Sequence, residues 1–207
     1  MYLSLKGECE TQKVIEKSRF ITTSKHISGD EEAKDFIADI RRKYPDATHN
    51  CYAYIADNLG NFPRFSNDGE PSGTAGMPIL EVIKNKRLFE TVVVVTRYFG
   101  GIKLGAGGLV RAYSGSAAEN LDSAEKVLYE TCAQSEYSVD YSSVDAVMRY
   151  CTENSASIIN TVYNDDVTFV IAVKKADEQK FNSGLINRLN GKVKIKKLKE
   201  YYFPFKI

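Results

Sequence analysis

Hydrophobic and polar positions change period along the chain, and each change predicts an element. Residues 10–15 and 19–26 are rich in Val, Ile, Phe and Thr, the text of strands. Ala33, Phe36, Ile37, Ile40 and Tyr44 then recur at helical spacing. Asp30 stands where an N-cap would, acidic residues follow it, and Pro45 closes the segment, so a helix is expected over 31–44. Residues 51–56 read as a strand and 58–60 as a turn. Pro78 suits the first turn of a short helix carrying Ile79, Leu80 and Ile83, because that position needs no backbone N–H. Residues 91–99 are a run of β-branched side chains, a buried strand. A helix follows with Leu109, Ala112, Tyr113, Ser116 and Leu121 available to pack.

The second part of the chain alternates as β-α-β-β-α-β. Strands fall near 134–141, 157–163, 167–174 and 192–203, and helices near 143–152 and 177–189. Asn164, Asp165 and Asp166 make the turn between the middle strands. That order over about 70 residues predicts a ferredoxin-like α+β sandwich. Ten of the 14 glycines lie between Gly60 and Gly115, and the next is Gly184. Two compositional regimes predict two domains, 1–133 and 134–207, joined near Cys132 to Glu136.

Composition narrows the class. The chain has 207 residues, 43% hydrophobic, with 28 Lys and Arg against 27 Asp and Glu, a net charge of +1. That excludes a wholesale polycation and an acidic disordered tail, and it suits a packed core. The longest stretch free of charged side chains is residues 154–164, full of Asn and Ser and far short of a membrane span, which needs about 20 apolar residues. The N-terminus has no signal-peptide apolar core. A soluble cytoplasmic protein with no membrane contact is expected. Cys9, Cys51, Cys132 and Cys151 form no C-x-x-C pair and read as reduced, buried small hydrophobes.

The chemistry concentrates in residues 92–121, where a strand, a glycine-rich turn and a helix follow one another. Such a turn presents backbone N–H groups at the positive end of a helix dipole, an anion cradle. Gly100, Gly101, Gly105, Gly107 and Gly108 supply the turn. Arg97, Lys103 and Arg111 supply charge, and Arg64 adds to it. The dinucleotide fingerprint fails, as does the Walker pattern, since no Gly-Lys-Ser/Thr occurs. Glycines that merely allow a tight turn and close packing remain an alternative to phosphate contact or a catalytic loop.

A polar loop over 65–76 offers Ser66, Asp68, Glu70, Ser72 and Thr74. These could work as an acid–base or metal loop, or serve as ordinary turn residues. His49 and Cys51 would share a strand side, but no third orienting group is identifiable, and zinc has too few ligands. No cofactor and no metal are expected. Arg188, Lys192, Lys194, Lys196, Lys197 and Lys199 form a cationic run without an acid. Val193 and Ile195 alternate with the lysines until the phase shifts at Leu198, which hints at a bulge near Lys196 and Lys197. The run reads either as a lysine-protected edge strand or as a second nucleic-acid patch.

Several motifs in order resemble the IMPACT family. They are Lys17-Ser18-Arg19-Phe20, His49-Asn50-Cys51-Tyr52-Ala53-Tyr54, the run from Asp68-Gly69-Glu70-Pro71 through Gly76, and Arg97-Tyr98-Phe99-Gly100-Gly101-Ile102-Lys103-Leu104-Gly105 continuing to Tyr113. The resemblance covers residues 1–130 or so, and the remainder is similar to the small C-terminal domain of the bacterial members. It implies a first domain like the second domain of ribosomal protein S5 and a ferredoxin-like second domain. Both resemble successive C-terminal domains of the translocation elongation factor, which work against the ribosome. Eukaryotic members carry an additional RWD domain and control a starvation-responsive kinase; no RWD module is matched here, so that partner is not carried over. The resemblance brings no catalytic residues. A non-enzymatic protein contacting RNA, the ribosome or a translation-associated protein is expected. The competing class is an enzyme acting on a small phosphorylated or peptide substrate, with Asp68 or Glu70 as base.

Overall fold

The computed structural model describes residues 1–206, the last by its backbone alone. Tyr2–Leu128 form one compact unit and Tyr129–Phe205 another.

The first unit begins with β1 (Tyr2–Leu5), β2 (Cys9–Ile15) and β3 (Ser18–His26), followed by α1 (Asp30–Lys43). It continues through β4 (His49–Ile55), β5 (Pro63–Ser66), α2 (Gly76–Asn85), β6 (Thr91–Tyr98) and α3 (Gly105–Ser123). Five strands form an antiparallel sheet in the order β2-β3-β6-β4-β5. The central strand β6 is buried on both faces, which explains its unbroken run of valines. Val92 and Val94 pack with Phe36, Ile37 and Ile40 of α1, while Val93 and Val95 pack with Ile79, Ile83, Tyr113 and Leu121 of α2 and α3. Each such side chain taken from water contributes about 1.5–3 kcal/mol. Asn120 is fully buried and donates from Nδ2 to the carbonyls of Cys9 and Thr22 at 3.1 and 2.9 Å, tying α3 to β2 and β3.

Two local expectations change. Asp30 is the first residue of α1 and makes no cap; Gly29 precedes it, and the Asp30 carboxylate instead accepts a hydrogen bond from the Tyr54 hydroxyl at 2.6 Å. The opening of the expected loop over 65–76 belongs to β5, an edge strand whose brevity and leading proline hid it from periodicity.

The second unit contains most of β7 (Lys126–Val139), then α4 (Val144–Glu153), β8 (Ser157–Tyr163), β9 (Val167–Lys174), α5 (Glu178–Arg188) and β10 (Lys194–Lys206). β7 lies between β9 and β10, and β8 flanks β9, the ferredoxin-like order. Val147, Cys151, Phe181 and Leu185 of the helices pack onto Tyr137, Val167, Phe169 and Ile171. The Asp140 side chain accepts from Ser143 N–H and starts the short 3-10 turn that leads into α4. Val193 and Ile195 join this helix-side core, whereas Tyr201 and Phe203 pack with Cys132, Ala172 and Phe205. Ile171 and Ala172 are neighbours on β9 and face opposite ways, so β10 changes phase between Ile195 and Tyr201, as the shift at Leu198 hinted.

The expected connection near Cys132 to Glu136 is corrected. Those residues pair along β9, with Cys132 opposite Lys174 and Glu136 opposite Val170. The division falls between Leu128 and Tyr129, inside β7, rather than at 133/134. A linker read from composition is here a strand of 14 residues.

Candidate functional site

The C-terminal end of β6 gathers most of the sequence candidates, in two groups with opposite character. Beneath the surface lies a polar cluster around Glu70 and Arg97. Above it runs the glycine turn with exposed cations.

Arg97 is 5% exposed and Glu70 8%. Arg97 Nη1 donates to Glu70 Oε1 at 2.6 Å, and the Tyr113 hydroxyl donates to the same oxygen at 2.7 Å. His49 Nε2 stands 3.9 Å from it. Arg97 Nη2 reaches Ser18 Oγ at 3.3 Å, and the guanidinium lies over the rings of Phe20 and Phe99 at 5.5 and 5.4 Å. Arg97 Nε is buried without a hydrogen-bond partner among the described residues. Burial and the nearby thiol of Cys51 and carboxylate of Glu70 push the Tyr113 hydroxyl far above the usual tyrosine range, so it remains a proton donor. Cys51 donates from Sγ to the Asn67 carbonyl at 2.9 Å, and burial pushes its thiol up to about 12. A thiol in that state is no nucleophile at neutral pH.

The loop between β5 and α2 spends its polar groups internally. Ser66 Oγ accepts from Asp68 N–H at 3.2 Å, and Asp68 Oδ2 accepts from Asn50 N–H at 2.7 Å. Asp68 Oδ1 takes Arg41 Nη2 at 2.8 Å, and its carbonyl meets His49 Nδ1 at 2.7 Å. Asn67 Oδ1 accepts from Gly76 N–H at 2.9 Å and Ala75 N–H at 3.3 Å, stopping the start of α2 from losing its hydrogen bonds. Thr74 is buried and donates to the Pro71 carbonyl at 2.7 Å; Ser72 is exposed. Asp68 and Glu70 are therefore occupied by ion pairs and backbone, which leaves neither aimed at a substrate. Among the described residues no cluster of three or more His, Cys, Asp and Glu could hold a metal ion.

The glycine turn is built for close approach. Gly101 and Gly105 have φ of 86° and 69°. A Cβ on Gly100 would stand 2.0 Å from the Lys17 carbonyl, so this glycine lets the turn pack on the β2–β3 hairpin. Gly107 and Gly108 lie in the first turn of α3. Gly108 would press its Cβ on Leu104 at 3.0 Å, whereas Gly107 faces open space, with only Arg111 Nη1 at 3.7 Å. α3 begins without a side-chain cap and without an acidic residue in its first turn. Its first N–H groups thus stay open to an anion.

The cations divide accordingly. Lys103 and Arg111 are exposed and make no ion pair among the described residues. Lys17, which the sequence shows only as part of the Lys17–Phe20 motif, joins them: it is exposed, unpaired among the described residues and held at φ 62° beside Gly100. Arg97 is withdrawn as a phosphate-seeking group, because its charge is spent inside on Glu70. Arg64 is exposed on β5, at the far edge of the sheet, and donates to the Pro63 carbonyl. In the second unit, Arg188 pairs with Glu153, Lys196 with Glu136 at 3.4 Å, and Lys197 with Glu200 at 2.7 Å. Lys192, Lys194 and Lys199 are exposed and outside ion pairs among the described residues, with Lys199 over the Tyr201 ring at 4.9 Å. Half of the second basic patch is thereby neutralised locally.

The fold and this site define a two-domain α+β protein, an S5 domain-2-like unit bearing a glycine-rich end followed by a ferredoxin-like unit. Residues 16–121 match the Impact N-terminal domain, and residues 138–192 match a domain of unknown function, DUF1949. The chain is 40% identical over 195 residues to the IMPACT family member YvyE of Bacillus subtilis, covering 94% of this chain and 90% of that one. It is 37% identical over 192 residues to the IMPACT family member YigZ of Escherichia coli, covering 90% and 92%. A crystal structure described as that of an hypothetical protein superposes with a TM-score of 0.59 at 31% identity, covering 96% of this chain and 97% of that one. This chain belongs to the IMPACT family.

Proposed function

We propose that the protein is a non-enzymatic binding protein of the translation apparatus that meets RNA phosphates with the glycine-rich end of its first domain. The observation that carries the reading is the uncapped start of α3 next to three cations, Lys17, Lys103 and Arg111, that make no ion pair among the described residues. Open N–H groups and exposed positive charge suit a phosphate, and they read its charge rather than a base. The buried Glu70–Arg97 pair beneath fixes the turn and takes no part in binding. Family membership supports a link to translation and its regulation, and the ribosome supplies RNA phosphates in that setting. No observation favours the enzyme reading, since both candidate bases are engaged in the fold.

Affinity for mixed-sequence RNA, measured for the wild type, Lys103→Ala and Arg111→Ala, tests this. Both variants should weaken binding to all sequences alike. Absence of binding at low salt would remove the phosphate role and leave a protein-interaction module as the reading.

A further inference from the structure

We infer that β8 pairs with β8 of a second copy of this chain, extending the second sheet across a two-fold axis. β8 ends that sheet beside β9, so its outer row of N–H and C=O groups has no strand partner among the described residues. Edge strands are ordinarily blunted by charge, proline or brevity. The other edges follow that rule. β2 carries Glu10 and Lys13, β5 has four residues and begins at Pro63, and β10 carries Lys194, Lys196, Lys197 and Lys199. β8 is Ser-Ile-Ile-Asn-Thr-Val-Tyr, seven residues without a charge or a proline, inside the longest uncharged stretch of the sequence. Its apolar side chains are held in water: Ile159 is 43% exposed, Val162 40% and Tyr163 61%.

One blunting device is present, an irregular register between Ile158 and Asn160. It disturbs the first half of the strand only. Asn160, Thr161, Val162 and Tyr163 sit in regular register with Val170, Phe169, Thr168 and Val167. These four residues are the usable edge.

Charge selects the occupant. An antiparallel pair about a two-fold axis sets a residue opposite its own copy, where like charges would repel. β8 has none to repel. Centred on Val162, the pairing sets Val162 against Val162 and Thr161 against Tyr163, a β-branched residue against an aromatic one, which is a favourable cross-strand pair. A nucleic acid would find no cation on this strand, and a charged peptide no counter-charge.

Sedimentation of the full chain from micromolar to near-millimolar concentration tests the pairing. The wild type should approach twice the mass of one chain as concentration rises. Val162→Thr should keep this behaviour. Val162→Lys and Val162→Glu should each sediment as single chains with unchanged melting temperature, and an equimolar mixture of the two should recover the doubled mass. That recovery excludes misfolding as the cause and requires residue 162 to face its own copy. A wild type that stays a single chain throughout, a Val162→Lys variant that associates as the wild type does, or a mixture that stays monomeric would each overturn the inference.

Discussion

A guanidinium held at 5% exposure needs its counter-charge more than the counter-charge adds to stability. Arg97→Ala leaves Glu70 buried with the Tyr113 hydroxyl as its hydrogen-bond donor and His49 Nε2 3.9 Å away, and urea unfolding should show a loss of about 3–5 kcal/mol. Lys103→Ala should change stability by less than about 0.5 kcal/mol, as exposed positions do. Equal losses for the two would mean that Arg97 is not an internal strut. Cys51 makes a second test at this scale. Its thiol rises from 9.0 to about 12 on folding, chiefly through burial. The unfolded chain therefore releases this proton first, so the stability tied to this group is fully present below pH 9 and is lost as pH rises from 9 towards 12. Unfolding free energies for the wild type and Cys51→Ala across that range should show a shallower alkaline decline in the variant.

The turn between β2 and β3 has two residues, Glu16 and Lys17, with φ of 45° and 62°. Such turns favour Asn-Gly, and a left-handed residue with a Cβ costs roughly 1–2 kcal/mol. Lys17→Gly should therefore stabilise the fold by about 1 kcal/mol while weakening RNA binding, measured by thermal melts and titration on one preparation. A variant that gains stability and keeps full affinity would remove Lys17 from the interface. Gly101→Ala should destabilise by about 1 kcal/mol, since its φ is 86°. Gly107→Ala should do the reverse by up to about 1 kcal/mol, because the site is helical and open. Most elements were legible because their periods are local: α1 from Ala33, Phe36, Ile37 and Ile40, and β6 from its valines. β1 and β5 were not, as four-residue strands carry too little period to read. The start of β7 was hidden by the same cause that misplaced the boundary, a strand continuing where composition changes. The glycine turn was legible as a site. The fate of Arg97 was not, because its burial depends on Glu70, 27 residues away in a loop, and on Tyr113 from α3.

At the scale of the whole molecule, a net charge of +1 supplies no long-range attraction for nucleic acid, so any binding must come from local patches. Pairing inside the fold shrinks those patches. Arg97, Arg188, Lys196 and Lys197 are spent on carboxylates, leaving Lys17, Lys103 and Arg111 at the glycine-rich end. Neutralising about three phosphates on single-stranded RNA gives a log–log salt slope of roughly −2. Involvement of Lys192, Lys194 and Lys199 as well would double the count and bring the slope to roughly −4. The two values are far enough apart to decide whether the second unit takes part. Affinity for mixed-sequence RNA should therefore be followed from low to physiological salt for the wild type, for Lys103→Ala and for Lys194→Ala. Lys103→Ala should lower the slope by about 0.7, and Lys194→Ala should leave it unchanged if the first unit acts alone. A slope near zero, or one that Lys103→Ala does not alter, would take phosphate recognition away from the glycine turn and leave its exposed Phe99 and Ile102 as the surface for a protein partner.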